Sequence, residues 1–416
     1  MKRTARIAVI LLAVLGPVTT LQAQGLVPVL LAPGGTVARL EQPGDEPAPV
    51  VVAAEAAATD DRERFWFYGD YLLGFTHGTS LPPLVTTSRA GTPVKDAGVL
   101  GNQNTLVLFG DTGINDRLRS GTRFGFGGWF DGPKTLGIDV GFLLLESQST
   151  LFSTNSGINP ILARPFLNAL TGLETSQIVA FPGKATGSVT ASDQSGNLYG
   201  AHMDFQEIFL EDAGYRLESI FGYRFLRIDD RLAINQDVKS AGGGGILAGT
   251  EFVTNDSFMT QNQFHGLDLG LRAEFYGQRW FVGLLGKVAL GDIHRVVAIH
   301  GNTTVTVPGQ PPTTSAGGFL ALSSNSGAFN IDQFTAVPEL GALFGWNINR
   351  QLRVHVGYTV IFLNDMARAG DQVSLTINPN LFPPPRTPST PALPAFQLMK
   401  TDMWIQTLNF GMEFRF

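Results

Sequence analysis

The sequence predicts an all-β chain: a transmembrane, antiparallel, up-and-down β-barrel of about ten strands, twelve remaining open, with long external loops and short periplasmic turns. Three observations predict it. From Phe65 to Phe416 the apolar residues recur every second position, the period of a strand with one greasy and one polar face. Short turns and long connections then alternate along the chain, as they do in outer-membrane barrels. Finally, no apolar run beyond residue 15 reaches the roughly 20 residues of a membrane helix, which leaves closed barrels as the spanning structures.

The chain opens on Lys2, Arg3 and Arg6, an apolar core from Ile7 to Leu15, a Gly-Pro break, and Leu21-Gln22-Ala23. This is the pattern of a Sec-type signal peptide over residues 1–23, with cleavage expected after Ala23. Absence of cysteine excludes a lipid attachment point and a disulfide framework. Residues 24–64 are rich in Pro, Ala and Val, keep neither period, and read as a disordered periplasmic leader with a short helix conceivable at Val50 to Ala58. Residues 65–416 form the barrel. Charged residues make up 15% of the chain, against 49 Gly and 30 Phe, which is sparse beside the roughly 25% of soluble domains. The formal charge is −6, and removing the three basic residues of the signal takes it to −9, so no basic surface is offered to nucleic acid.

The strands follow in order. Phe65, Phe67, Tyr71, Leu73 and Phe75 share the face opposite Asp70. Strand 121–130 turns at Asp131 to Lys134 into 136–145, where Leu136, Ile138, Val140, Phe142 and Leu144 alternate with Gly137, Asp139 and Gly141. The same hairpin unit recurs at 201–210 with 215–227, at 264–275 with 280–290, and at 334–346 with 352–362, joined by Glu211 to Gly214, Gly277-Gln278 and Asn347 to Arg350. A closing strand ends at Phe416. The count is ten, with both ends on one side. The long connections are 76–120, 146–200, 228–263, 291–333 and 363–402, and Leu106 to Phe109 is the candidate for an additional strand.

Parity assigns the charges. Arg123, Arg216, Arg224, Arg272, Lys287, Arg353 and Arg415 fall on the polar face with Asp70, Asp139, Asp204, Glu218, Asp268, Glu274, Glu339 and Glu413. Bases and acids nearly cancel, and a barrel of about ten strands has a narrow interior, so the expectation is a lumen filled by ion pairs, with Arg123, Asp139, Arg224, Asp268, Arg272, Lys287, Glu339 and Arg353 at its heart. Glu207 falls on the lipid face, where a charge at the midplane is costly, and is expected at the rim or behind a bulge.

The ending Asn409, Gly411, Phe414, Phe416 resembles the assembly signal of outer-membrane barrels: a polar residue, a Gly two further on, and large apolar residues third-last and last. A wider set of phrases, Phe221 to Asp230, Gly286 to Gly291, Val337 to Leu340, Val356-Gly357-Tyr358 and Asn409-Phe410-Gly411, resembles the putative beta-barrel porin-7 family of bacterial outer-membrane proteins. The resemblance implies an outer-membrane barrel and carries over no functional residue.

Enzyme chemistry finds little support. The six histidines, His77, His202, His265, His294, His300 and His355, form no zinc motif. The run Gly242 to Gly245 is not followed by the Lys-Ser/Thr of a phosphate loop, and Pro383 to Pro385 with Pro388, Pro391 and Pro394 suggests an extended spacer. The rim residues Asp229, Asp230, Asp292 and His294 resemble the paired acids and Asp-His couple of omptin proteases, the one catalytic alternative. The sequence therefore predicts an outer-membrane barrel, porin-like or structural, without cofactor. Its expected partners are outer-membrane lipid and the barrel-assembly machinery, with external-loop adhesion as the other reading.

Overall fold

The computed structural model describes residues 63–76, 78–384 and 390–416. The signal peptide, the leader up to residue 62, its short helix, His77, Pro385 and Pro388 lie outside the described residues. Ten strands form the wall: β1 Phe65–Thr76, β2 Arg119–Trp129, β3 Leu136–Leu145, β4 Ala185–Asp212, β5 Tyr215–Ser240, β6 Glu251–Tyr276, β7 Trp280–Thr306, β8 Gly327–Asn347, β9 Leu352–Met366 and β10 Thr401–Arg415. Each pairs antiparallel with the next. β10 pairs back onto β1, from Trp66 opposite Arg415 to Thr76 opposite Ile405. The ring is thereby closed, and over the half nearest the short turns each strand is paired on both sides.

Large apolar side chains point outward over the half of the wall nearest the short turns. Phe67, Tyr71, Phe126, Phe142, Phe205, Phe221, Leu271, Leu340, Tyr358 and Phe410 are exposed there, and they make the belt that lipid tails would cover. Glu207 lies on this outer face, exposed, paired with Leu136 at the first position of β3 and just before a register shift at Ile208/Leu210. It sits at the rim.

The wall is taller than the sequence suggests. β4 to β7 run 26 to 28 residues, roughly 90 Å of extended chain at about 3.3 Å per residue, whereas a bilayer occupies about 9–11 residues of each strand. Much of what reads as the long loops 228–263 and 291–333 is therefore strand, and the connection between β5 and β6 shrinks to the turn 241–250. Leu106 to Phe109 does form a strand, Thr105–Phe109, but outside the wall. It joins Val85–Ser88, Leu162–Asn168, Glu174–Ala180 and Thr376–Ile377 in a second sheet. Ten strands close the ring, and Gln148–Asn155 on β4 and Thr313–Ala316 on β7 bring the sheet of the wall to twelve. This second sheet packs on the inward face of the tall half, where Leu162, Phe166 and Val179 meet Val189, Leu232, Ile234, Phe258, Val297 and Ile299 in one buried core. What remains of the long connections thus folds into a plug that shares one hydrophobic core with the wall.

Candidate functional site: the barrel interior

The interior is stratified. At the turn end, inward side chains form a dense charge network. The Arg224 guanidinium donates to Asp268 at 2.8 Å and Glu339 at 2.5 Å. Lys287 Nζ bridges Asp204 at 2.6 Å and Asp268 at 2.7 Å. Arg272 reaches Glu218 at 3.2 Å and Gln206 at 3.0 Å, Arg353 reaches Glu274 at 3.0 Å and Glu413 at 3.6 Å, and Arg123 holds Asp70 at 2.6 Å. Asp139 accepts from Trp66 Nε1 and lies 2.9 Å from His202 Nε2. All eight central residues named from parity thus face inward, and Arg224 with Glu339 is a direct contact. Ions removed from water are tolerated only when such partners surround them.

Sequence parity puts His355 on this face with Arg353, but does not single out the other partners of the network, Trp66, Tyr68 and His202. Their signal is the small residue opposite. A Cβ on Gly127 would lie 2.2 Å from the Trp66 ring, so the absence of a side chain on β2 makes room for the indole. The same logic explains the terminal motif. A Cβ on Gly411 would fall 1.9 Å from Asp70 Oδ1 and 2.5 Å from His355 Nε2, the pair that bonds at 3.0 Å beneath it. Asn409 is buried inward and donates to Thr359 Oγ1 at 2.9 Å, while Phe414 and Phe416 point outward and Phe416 exchanges both backbone hydrogen bonds with Phe65.

Above the charges lies an apolar layer. Leu72, Leu145, Leu198, Leu226, Phe264, Ile293, Val337, Ile361 and Ile405, all at most 6% exposed, form one cluster. They come from nine of the ten strands; on the tenth, β2, Gly121 leaves the space that Leu145 fills. The layer thus crosses the whole section of the barrel. Each such side chain gains about 1.5–3 kcal/mol from burial.

A second polar tier pins the plug to the wall. Arg368, 2% exposed on the connection after β9, bonds Asp230 of β5, Thr79 Oγ1 at 2.7 Å and Ser195 Oγ at 3.5 Å. Asn262 of β6 makes both hydrogen bonds to the Ala367 backbone, and Asn115 Nδ2 donates to Asp193 Oδ2 at 2.6 Å. Burial, followed by the neighbouring Asp230 charge, pushes the Asp193 carboxyl up to about 7. Higher still, Arg164 and Asp256, both fully buried, pair at 3.0 Å. Asp256 Oδ1 also accepts the backbone N–H groups of Phe319, Leu320 and Ala321 at 2.9 Å each, which anchors that loop inside.

The omptin-like constellation is not assembled. β5 and β7 continue past it, so these residues are on the wall and not at its rim. Asp229 points outward to Arg227 at 2.8 Å, Asp230 points inward to Arg368, and His294 pairs on the outer face with Asp332 at 2.6 Å. Adjacent strand residues face opposite sides, which separates the two acids.

The family model described as Putative beta barrel porin-7 (BBP7) matches residues 66–416. No curated protein matches the chain. Among solved structures, the outer membrane protease OmpT from Escherichia coli is similar at a TM-score of 0.40 and 9% identity, covering 86% of this chain and 98% of that one. A FadL homologue from Pseudomonas aeruginosa is similar at 0.20 and 6%, covering 86% and 91%. The TodX deltaS2S3 mutant monoaromatic hydrocarbon channel is similar at 0.20 and 7%, covering 85% and 91%. At such distances the chemistry of these barrels does not transfer to this chain.

Proposed function

The chain belongs to the beta-barrel porin-7 family, and on that premise we propose that it is an outer-membrane barrel with a closed lumen, a structural or surface protein and not an enzyme. The turn end faces the periplasm and the tall half faces outward, after Sec-dependent export and removal of residues 1–23. The observation that carries this reading is the apolar layer contributed by nine strands, with ion pairs beneath it and a packed plug above. A solute crossing it would have to separate side chains that exclude water. Exposed apolar residues at the outer end, among them Leu151, Ile158, Leu173 and Leu247, favour contact with other surface material as the role of the tall half. The motif Asn409, Gly411, Phe414, Phe416 serves recognition by the barrel-assembly machinery.

Single-channel recording in planar bilayers tests the closed lumen. The wild-type barrel is expected to pass little current, and Phe264→Ala, which removes an aromatic side chain from the apolar layer, is expected to flicker open. A large, steady conductance from the unmodified protein would make the charged tier a selectivity lining and the protein a solute porin.

A further inference from the structure

Below the apolar layer the charge network does not fill the barrel. A cavity of about 230 Å³ runs from Glu413 and Arg415 at the turn end up to Leu72 and Leu226. Seven Arg or Lys and six Asp or Glu line it, a near balance that conceals an asymmetry of exposure. Asp70 and Asp139 keep only 1% and 5% of their side chains accessible, because Arg123, His355, Trp66 and His202 cover them. Glu218 is likewise 1% accessible behind Arg272. In front of these three acids stand Arg272, 33% accessible, Arg123, 23%, and the His202 imidazole, 22%, whereas Glu274, Glu339 and Glu413, elsewhere on the cavity wall, keep 12%, 10% and 21%. The bonds of Arg123 to Asp70 use Nε and Nη2, and those of Arg272 use Nη1. Among the described residues, Nη1 of Arg123 and both Nε and Nη2 of Arg272 are left over, beside a cavity that both side chains line.

We propose that this cavity is a binding site for a small multivalent oxyanion, a polycarboxylate or a phosphate, held by Arg123 and Arg272 with His202 and Tyr68 at its side. Planar guanidinium groups match carboxylate and phosphate oxygens in geometry, and low-dielectric walls strengthen the attraction relative to open water. The acids paired with or beside these groups, Asp70, Asp139 and Glu218, are almost wholly covered and present little charge to the ligand at contact. The apolar layer makes the site a dead end: an anion enters and leaves by the turn end and does not pass through. That the entrance faces the periplasm rests on the orientation proposed above; the binding itself does not.

Isothermal titration of the full-length, detergent-folded barrel at low salt tests the site, with citrate and inorganic phosphate as separate probes and glycerol as the neutral control. Saturable binding of citrate or phosphate, with none of glycerol, is expected; which anion binds identifies the class. Arg272→Gln should raise Kd at least tenfold, Arg272→Lys should recover part of the loss, and Arg231→Gln on the outer wall should leave Kd unchanged. Absence of saturable binding to the wild type, or equal affinity in wild type and Arg272→Gln, overturns the site, and needs no variant to fold in the first case. A closed barrel without binding would sink this inference alone. A conducting barrel that binds citrate would sink only the dead-end lumen.

Discussion

At the scale of single residues, the interior works by mutual coverage of charge. Arg224 lies between Asp268 and Glu339, and Asp268 in turn shares Lys287 with Asp204. Removing one member of such a set leaves a buried ion without its partner, at a cost of about 3–5 kcal/mol. Arg224→Met should therefore lower the stability of the folded barrel by that order in urea titrations in vesicles. Adding Glu339→Met should restore part of it, so the double variant is more stable than the sum of the singles predicts. Strict additivity would mean that the two do not interact. Asp193 behaves differently. Its carboxyl is raised from the ordinary 3.8 to about 7, so the fold binds a proton that the unfolded chain releases near pH 4. Its stabilising contribution is complete below about pH 4 and declines as pH rises toward 7. The plug should accordingly resist proteolysis better at pH 5 than at pH 8, and Asp193→Asn should flatten that difference. An unchanged pH dependence in the variant would assign it to other groups.

At the scale of elements, the strands were legible where they cross the membrane belt and not beyond it. Over 201–210, 215–227, 264–275 and 280–290 the apolar residues point outward and the charged ones inward, the contrast expected of a wall between lipid and a polar lumen. Past that height the contrast inverts. In β5, Leu232 and Ile234 are fully buried on the inward face, while Asn235 lies on the outward one. The outside now meets water and the inside meets the plug, so a reader looking for outward Phe and Leu sees a loop although the period of two persists. The apolar layer was hidden for the same reason: Leu226 and Ile361 share parity with Arg224 and Thr359, and parity reports the face but not the height. Arg368 and Arg164, on plug segments, have no periodic signal at all. The charged residues of the lower tier were readable because lipid penalises them on the other face. The elements also make a test of orientation. Protease added to intact cells should cut near Lys184 or in the turn 241–250, both at the outer end, and spare Glu211 to Gly214. Cleavage at Glu211 to Gly214 would turn the molecule over.

At the scale of the whole molecule, the pairing of β1 with β10 brings together residues as far apart in sequence as Trp66 and Arg415. That contact carries the largest loop-closure entropy in the chain, so the ring can only seal after the final strand has been delivered. Once sealed, however, the circle has no privileged starting point: Phe65 and Phe416 are hydrogen-bonded neighbours, and the join between them is one more strand pairing among ten. A gene rearranged to link residue 416 to residue 65 through a short spacer, and reopened at Gly277-Gln278, should still yield a heat-modifiable barrel in vitro. In the cell the same permutant would end on β6 and forfeit the terminal Phe416, so its loss from the outer membrane, despite competent folding in detergent, would separate what the wall needs to close from what the cell needs to recognise it.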